Sequence, residues 1–171
     1  MRTSTPRSMK PSITCGIAAD ADCPRHQHSR SGQRKSGPAR ELLQLIIDSA
    51  EHTLLLSPFL LMELERVLSY ERVRKASKLT DEEVSEYLGY LRTKEISEMV
   101  FPGLPPRVVM SDPDDDPIVH TAVVGRANVL CTLNRHFYDP SVRDYCRERG
   151  VLVANDLELL DLLRAGKSSR S

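Results

Sequence analysis

Hydrophobic residues follow two different periods in the chain after residue 37. Some segments repeat apolar residues every three or four positions, as in a helix with one buried face, whereas others are short unbroken apolar runs of strand length. The predicted elements, in chain order, are a helix at 38–49, a strand at 52–57, helices at 58–68 and 81–94, a strand at 98–101, a helix at 117–123, a strand at 129–132, a helix at 142–149, a strand at 151–154 and a helix at 155–163.

Capping residues support several of these boundaries. Ser57 is a suitable N-cap, and Pro58 fits the first helical position after it. Thr80 and Glu83 have the spacing of a capping box. Gly150 is typical of a residue that ends a helix.

Strands that alternate with helices predict a parallel sheet with right-handed crossovers and helices on both faces. The sequence therefore predicts an α/β sandwich. One element is missing from the pattern, because no apolar strand precedes the helix at Pro38, where such a fold normally starts.

Residues 1–36 differ from the rest of the chain. They are rich in Ser, Pro, Arg and Gly without an apolar period, and taken literally they predict a disordered basic segment. Residues 1–40 carry a formal charge of +6 and residues 41–171 a charge of −6. We expect the folded domain to span 37–165, followed by a disordered tail at 166–171.

The composition is that of a soluble globular domain, with 40% apolar and 28% charged residues among 171. No apolar run is long enough for a transmembrane helix or a secretory signal. The four cysteines form no CxxC pair, which indicates reduced thiols and a cytoplasmic protein rather than a zinc ribbon.

Polar side chains cluster after three predicted strands, at the sheet edge where α/β proteins place their sites. Glu63 lies in the helix after the first strand, and Asn134 and His136 follow Thr132. The remaining cluster is the acidic run Asp112, Asp114, Asp115 and Asp116. Helix capping alone also explains acids at a helix start, and a solvated flank also explains Glu63.

Carboxylates that converge from separate elements repel one another unless a cation lies among them. Oxygen ligands with few histidines favour Mg²⁺ or Mn²⁺ over zinc. Such an ion can hold a phosphodiester and activate water, whereas an acidic domain without one is a poor surface for phosphate. The clusters therefore predict a divalent metal site.

The order of three motifs resembles the PIN-domain family, and more narrowly its VapC-like toxin components of toxin–antitoxin systems. The motifs are SPFLLMELERVL at 57–68, DPDDDPIVHTA at 112–122 and VLCTLNRHF at 129–137. The resemblance covers about residues 37–164. It implies a three-layer α/β/α sandwich with a central parallel sheet, and a Mg²⁺- or Mn²⁺-dependent endoribonuclease that acts on single-stranded RNA. An antitoxin protein and a homodimer are the further partners that it implies.

The resemblance also assigns the site residues. Glu63 matches the helix glutamate of the family and Asp116 its central-helix aspartate, which makes both catalytic and metal-binding, with Asp115 and Asp112 as further metal ligands. Asn134 stands where many members carry aspartate and is expected to give a supporting catalytic contact. His136 stands where a second acid is common.

The front of the chain departs from the family pattern. Members carry an apolar strand that ends in an Asp-Thr-Asn motif, their first metal-binding acid, shortly before a segment like Gly37-Pro-Ala-Arg40. This chain has residues 20–28 as DADCPRHQH instead. Asp20 or Asp22 would have to replace the missing acid, although neither follows an apolar strand.

The genetic code offers an explanation for the missing strand. With permitted codons, GAT GCG GAT TGT CCT CGA CAC CAA CAT T encodes residues 20–28, and a shift of one nucleotide turns it into ATG CGG ATT GTC CTC GAC ACC AAC ATT. The shifted frame spells Met-Arg-Ile-Val-Leu-Asp-Thr-Asn-Ile, which contains both the strand and the motif. Residues 1 to about 35 are then an out-of-frame translation, with the frame restored between Ser29 and Gly37.

Three functions remain open from the sequence. The first is a metal-dependent endoribonuclease toxin, impaired in this chain because the first acid is absent. The second is a catalytically inactive PIN-like module that binds RNA or an antitoxin. The third, a nucleic-acid binder that uses the basic residues 1–40, requires that the frame be authentic.

Overall fold

Five parallel strands form one sheet in the computed structural model, which describes residues 12–15, 42, 45–48, 52–77, 80–93 and 96–168. The strands are β1 (Ser12–Cys15), β2 (Thr53–Leu56), β3 (Ser97–Met99), β4 (Val129–Cys131) and β5 (Leu152–Ala154). Their order across the sheet is β3-β2-β1-β4-β5, and every neighbouring pair is parallel. The carboxyl ends of all strands therefore meet at one edge.

Six helices are described in these parts of the chain, together with two short 3₁₀ helices at Pro113–Asp115 and Arg135–Tyr138. The helices are α1 (Pro58–Ser69), α2 (Glu71–Ser77), α3 (Asp81–Leu91), α4 (Asp116–Val124), α5 (Pro140–Glu148) and α6 (Asp156–Ser168). Residues 42 and 45–47 are helical as well, and the rest of the helix predicted at 38–49 lies outside the described residues.

The predicted caps form. The Ser57 side chain accepts a hydrogen bond from the Leu60 backbone N–H at 3.3 Å, and Pro58 opens α1. Thr80 and Glu83 make both hydrogen bonds of the capping box at the start of α3. α5 ends ahead of Gly150, whose φ of 77° suits a residue without a side chain.

Apolar side chains fill the space on both faces of the sheet. Alternate residues of β2 point to opposite sides, so Leu55 packs in one apolar cluster and Leu54 and Leu56 in the other. The first cluster includes Val119 of α4, and the second includes Leu88 of α3. Helices thus cover both faces, which confirms the predicted three-layer α/β/α sandwich.

The central strand β1 corrects the sequence prediction. No strand was expected ahead of residue 38, yet Ser12–Cys15 lies between β2 and β4, with Ile13 aligned with both Leu54 and Val129. Four residues with one large aliphatic side chain carry no readable period, and pairing on both sides holds the strand in place. The Ile13 side chain is 2% exposed and packs in the second apolar cluster.

Thr14, which follows Ile13 in β1, has a polar group in an unfavourable buried position. The Thr14 side chain is completely buried, and its Oγ1 atom has no hydrogen-bond partner among the described residues. A buried hydroxyl without a partner costs about 1–3 kcal/mol. The predictions for the rest of 1–36, including disorder and the roles of Asp20 and Asp22, lie outside the described residues, as does Gly37–Arg40.

Other differences from the predicted elements are small. α2 was not predicted, and α5 begins two residues earlier than predicted because Asp139 caps it with a hydrogen bond from the Ser141 backbone N–H. α6 continues to Ser168, past the expected domain end at 165. Among the described helices, none has the length and apolar character needed to cross a membrane.

Candidate metal centre

Three polar side chains come together at the carboxyl edge of the sheet. Asp112, Asp115 and His136 each offer one ligand atom, and these atoms lie within 4.8 Å of one another. His136 Nδ1 is 3.5 Å from Asp115 Oδ2 and 3.7 Å from Asp112 Oδ2. A single cation can contact all three groups at this spacing.

Two short 3₁₀ helices position these side chains. Asp112 caps the first one, because its Oδ1 atom accepts a hydrogen bond from the Asp114 backbone N–H at 3.2 Å. A 3₁₀ helix has three residues per turn, so Asp112 and Asp115 fall on the same side. The Asp114 side chain is exposed and is not one of the three clustered residues.

Asn134 holds the second 3₁₀ helix and joins it to the first. Its Oδ1 atom accepts a hydrogen bond from the His136 backbone N–H at 3.0 Å, and its Nδ2 atom donates to Asp115 Oδ2 at 2.7 Å. The Thr132 hydroxyl in turn accepts a hydrogen bond from the Asn134 backbone N–H at 3.1 Å. The end of β4 thereby fixes the orientation of the Asp115 carboxylate.

The electrostatics of the cluster favour a bound cation. Burial raises the pKa of the Asp115 carboxyl above its ordinary value, and the negative charge of Asp112 raises it further. The nearby His136 imidazole and the hydrogen bond from Asn134 oppose this shift. Because the ionised form of Asp115 is disfavoured beside Asp112, a divalent ion among these groups would stabilise it. The donor set therefore fits a divalent metal ion.

Glu63 lies on α1 and is not one of the three clustered residues. Its side chain is 19% exposed, and its Oε2 atom accepts a hydrogen bond from Arg66 Nη2 at 2.5 Å. The predicted role of Glu63 as a metal ligand stays a prediction.

Asp116 is not one of the three clustered residues. Its carboxylate binds backbone N–H groups instead. Its side chain is 4% exposed, and its Oδ1 atom accepts hydrogen bonds from the backbone N–H groups of Val108 at 2.9 Å and Val109 at 2.7 Å. Asp116 thus fixes the end of the Pro-rich loop, residues 101–109, against the start of α4. Its predicted role as a metal ligand also stays a prediction.

A family model for the PIN domain matches residues 29–136, more than half of the 171 residues. The chain belongs to the PIN-domain family. The match ends at His136 and contains all three clustered residues, Asp112, Asp115 and His136. Among the curated proteins and the solved structures, no match to this chain was found.

PIN domains in general are nucleases that bind nucleic acid and use divalent metal ions, and the cluster of Asp112, Asp115 and His136 could hold such an ion. The motif resemblance predicted both aspartates as metal ligands but did not assign His136 as one. The signal for it was present, because His136 stands two residues after Asn134 at the end of a strand.

Replacing Asp116 with alanine is expected to destabilise this PIN domain by about 2–4 kcal/mol, because two buried backbone N–H groups lose their acceptor. Urea denaturation measures the change. Asp114→Ala is the matched control, since this neighbour is exposed and should change stability by less than about 0.5 kcal/mol.

Asp116→Asn separates anchoring from metal binding. The amide keeps the oxygen acceptor for Val108 and Val109 but removes the charge. Metal affinity that stays at the wild-type level in this variant identifies Asp116 as an anchor, whereas a large loss identifies it as a ligand. Wild-type stability of Asp116→Ala would contradict the anchoring role.

Proposed function

We propose that this PIN domain is a metal-dependent endoribonuclease that cleaves single-stranded RNA, with activity that is impaired in this chain because the acid at the end of the central strand is absent. The observation that carries the proposal is the cluster of Asp112, Asp115 and His136, whose ligand atoms lie within 4.8 Å of one another at the carboxyl edge of the sheet. This edge is where open α/β folds bind their ligands. The family match supports nuclease chemistry there.

The proposed ion is Mg²⁺ or Mn²⁺. When bound, a divalent ion supplies Lewis acidity and an activated water for phosphodiester hydrolysis. Asp112 and Asp115 would hold it through carboxylate oxygens, and His136 through an imidazole nitrogen. The nitrogen ligand favours Mn²⁺ over Mg²⁺, because Mg²⁺ takes oxygen ligands.

The other polar residues of this edge support the cluster. Asn134 orients the Asp115 carboxylate through its 2.7 Å hydrogen bond. Glu63 and Asp116 remain proposed members of the metal site, and Arg135, which is exposed beside Asn134, is placed to contact an RNA phosphate.

Metal addition tests the proposal. Mn²⁺ at roughly a hundredfold excess over its dissociation constant is expected to stabilise the fold by about 2.7 kcal/mol. Thermal unfolding with and without Mn²⁺ measures the stabilisation, and a labelled single-stranded RNA reports cleavage. A chelator should reverse both effects. RNA cleavage that persists in the chelator, or a melting temperature that does not respond to Mn²⁺, would rule the metal centre out.

We also propose the toxin role, on the basis of the motif resemblance. A small antitoxin protein would need an apolar contact surface, and Phe101 and Leu104 are 75% and 95% exposed in the Pro-rich loop. Cys146 is a completely buried free cysteine, which agrees with a reducing compartment such as the cytoplasm.

Growth arrest on expression, relieved by the product of an adjacent gene, tests the toxin role. Analytical ultracentrifugation tests the homodimer.

The alternative function is a catalytically inactive PIN-like module that binds RNA or an antitoxin. Two observations favour it. Asn134 stands where an aspartate is common, and the last residue of β1 is Cys15 rather than an acid. RNA binding without metal-dependent cleavage would support this alternative, whereas metal-dependent cleavage that is lost in Asp115→Asn would exclude it.

A further inference from the structure

Arg66 lies on α1 beside the predicted metal ligand Glu63. Its Nη2 atom is 2.5 Å from Glu63 Oε2, and its guanidinium carbon is 5.9 Å from the centre of the Tyr70 ring. The carboxylate and the aromatic ring hold the guanidinium in a defined place. The Arg66 side chain is nevertheless 58% exposed, so solvent and ligands can reach it.

The Arg66 guanidinium also interacts electrostatically with Asp114, in the acidic run ahead of α4. The pKa of Arg66 is raised mainly by the hydrogen bond and charge of Glu63, with smaller contributions from Tyr70 and Asp114. α1 and α4 are in contact, and the hydroxyl groups of Thr121 in α4 and Ser57 form a hydrogen bond at 3.0 Å. Arg66 is therefore close enough to the acidic run for the negative charge of Asp114 to act on it.

An RNA strand that approaches this edge meets several carboxylates, and its phosphates need positive groups to offset the repulsion. A guanidinium has five N–H donors, and within the described part of the chain the Arg66 hydrogen bond goes to Glu63 through Nη2. The remaining donors suit a phosphate, which arginine can bind through two parallel hydrogen bonds.

We propose that Arg66 binds a phosphate of the single-stranded RNA and positions the strand against the acidic edge, with Glu63 and Tyr70 orienting the guanidinium. The proposal rests on the proposed nuclease function, because it assigns a substrate contact to the same site. Arg66 is then a substrate-binding residue that acts before any bond is broken.

A helix-stabilising ion pair is the competing explanation, and the chain contains a matched example. Arg147 pairs with Asp144 at 2.8 Å with the same spacing, and it lies on the exposed face of α5. Arg147 is 77% exposed and has no aromatic ring contact or acidic cluster among its described interactions. If both pairs are purely structural, loss of either arginine has the same effect.

The experiment measures binding of a short fluorescein-labelled phosphorothioate oligouridylate, chosen because it resists cleavage, by anisotropy in Mn²⁺, with a parallel titration in a chelator. Arg66→Gln is expected to weaken binding about tenfold, because one charged hydrogen-bonded contact is lost. The slope of log affinity against log salt concentration should fall by about 0.7. Arg147→Gln should bind as the wild-type protein does, and Arg66→Lys should recover part of the affinity.

A double variant excludes an indirect effect of Glu63. Arg66→Gln leaves the Glu63 charge unpaired, which could repel RNA without any lost contact, whereas Glu63→Gln with Arg66→Gln removes both charges. Weak binding by the double variant supports the phosphate contact, and full recovery overturns it.

Equal affinities of wild type, Arg66→Gln and Arg147→Gln also overturn the phosphate contact, as does a wild-type protein that does not bind the oligonucleotide. RNA binding that depends on Arg66 without cleavage in Mn²⁺ supports this inference and refutes the nuclease function.

Discussion

Asp115→Asn is expected to abolish metal binding and RNA cleavage while leaving the fold intact. Asp115 is the centre of the cluster, since its Oδ2 atom lies 3.5 Å from His136 Nδ1 and accepts the Asn134 hydrogen bond. The amide has the same shape but no charge for the ion. Groups that merely orient a ligand change metal affinity by about 10–100-fold, so removal of the ligand charge should cost more than about 100-fold.

The same substitution should change how stability depends on pH. The folded-state pKa of Asp115 is raised, so its contribution to stability is complete below the unfolded pKa and is lost as pH rises through the folded value. The metal-free wild-type protein should therefore lose some stability as the carboxyl ionises. Asp115→Asn should lack this component and be at least as stable as wild type at neutral pH.

Calorimetric titration with Mn²⁺ and an RNA cleavage assay measure the effect of Asp115→Asn, and thermal unfolding checks the fold. Asp161→Asn serves as the control, because Asp161 is an exposed carboxylate on α6. Wild-type metal affinity in Asp115→Asn would remove the basis for the proposed function.

A protein translated from the shifted reading frame is expected to be both more stable and far more active. Its Ile-Val-Leu segment would supply an apolar central strand in place of Ser12–Cys15, where the unpaired Thr14 hydroxyl now costs about 1–3 kcal/mol. Its Asp-Thr-Asn motif would add a carboxylate at the end of that strand, between β2 and β4. We expect a gain of about 2 kcal/mol or more and, from the added ligand, a rate increase on the order of a hundredfold.

Sequencing the gene across the codons for Asp20 to Gly37 comes first, followed by expression of both proteins. Alanine in place of the aspartate of the Asp-Thr-Asn motif is the matched control, because it should keep the added stability and lose the added activity. Codons for residues 20–28 that do not permit the shifted translation, or equal stability and activity of the two proteins, would refute the frame hypothesis.

Local patterns in the sequence were enough to predict the strands and, except for α2, the α-helices between residues 52 and 163. The start of α1 could be predicted because Ser57 and Pro58 act within one turn, and the start of α3 because Thr80 and Glu83 do the same. β1 could not be predicted, because its position depends on pairing with β2 and β4 rather than on its own residues.

The location of the site could be predicted from the sequence, but the separate roles of its aspartates could not. Strand ends indicated Asp112, Asp115 and Asn134, whereas only the 3₁₀ geometry shows that Asp112 and Asp115 share a side while Asp116 bonds to the loop backbone. If the 3₁₀ helix began one residue later, a different aspartate would face His136. Asp112 as an N-cap followed by Pro113 was the local signal for that register.

The central position of β1 also has a consequence for synthesis on the ribosome. Proteins emerge with the amino-terminal end first, so residues 12–15 leave the ribosome long before β4, with which they pair. Parallel pairing between such distant segments forms slowly. Until Val129–Cys131 has been made, the nascent chain holds an incomplete sheet with Ile13 lacking one neighbour, and a metal ion finds no centre to occupy until translation has passed His136.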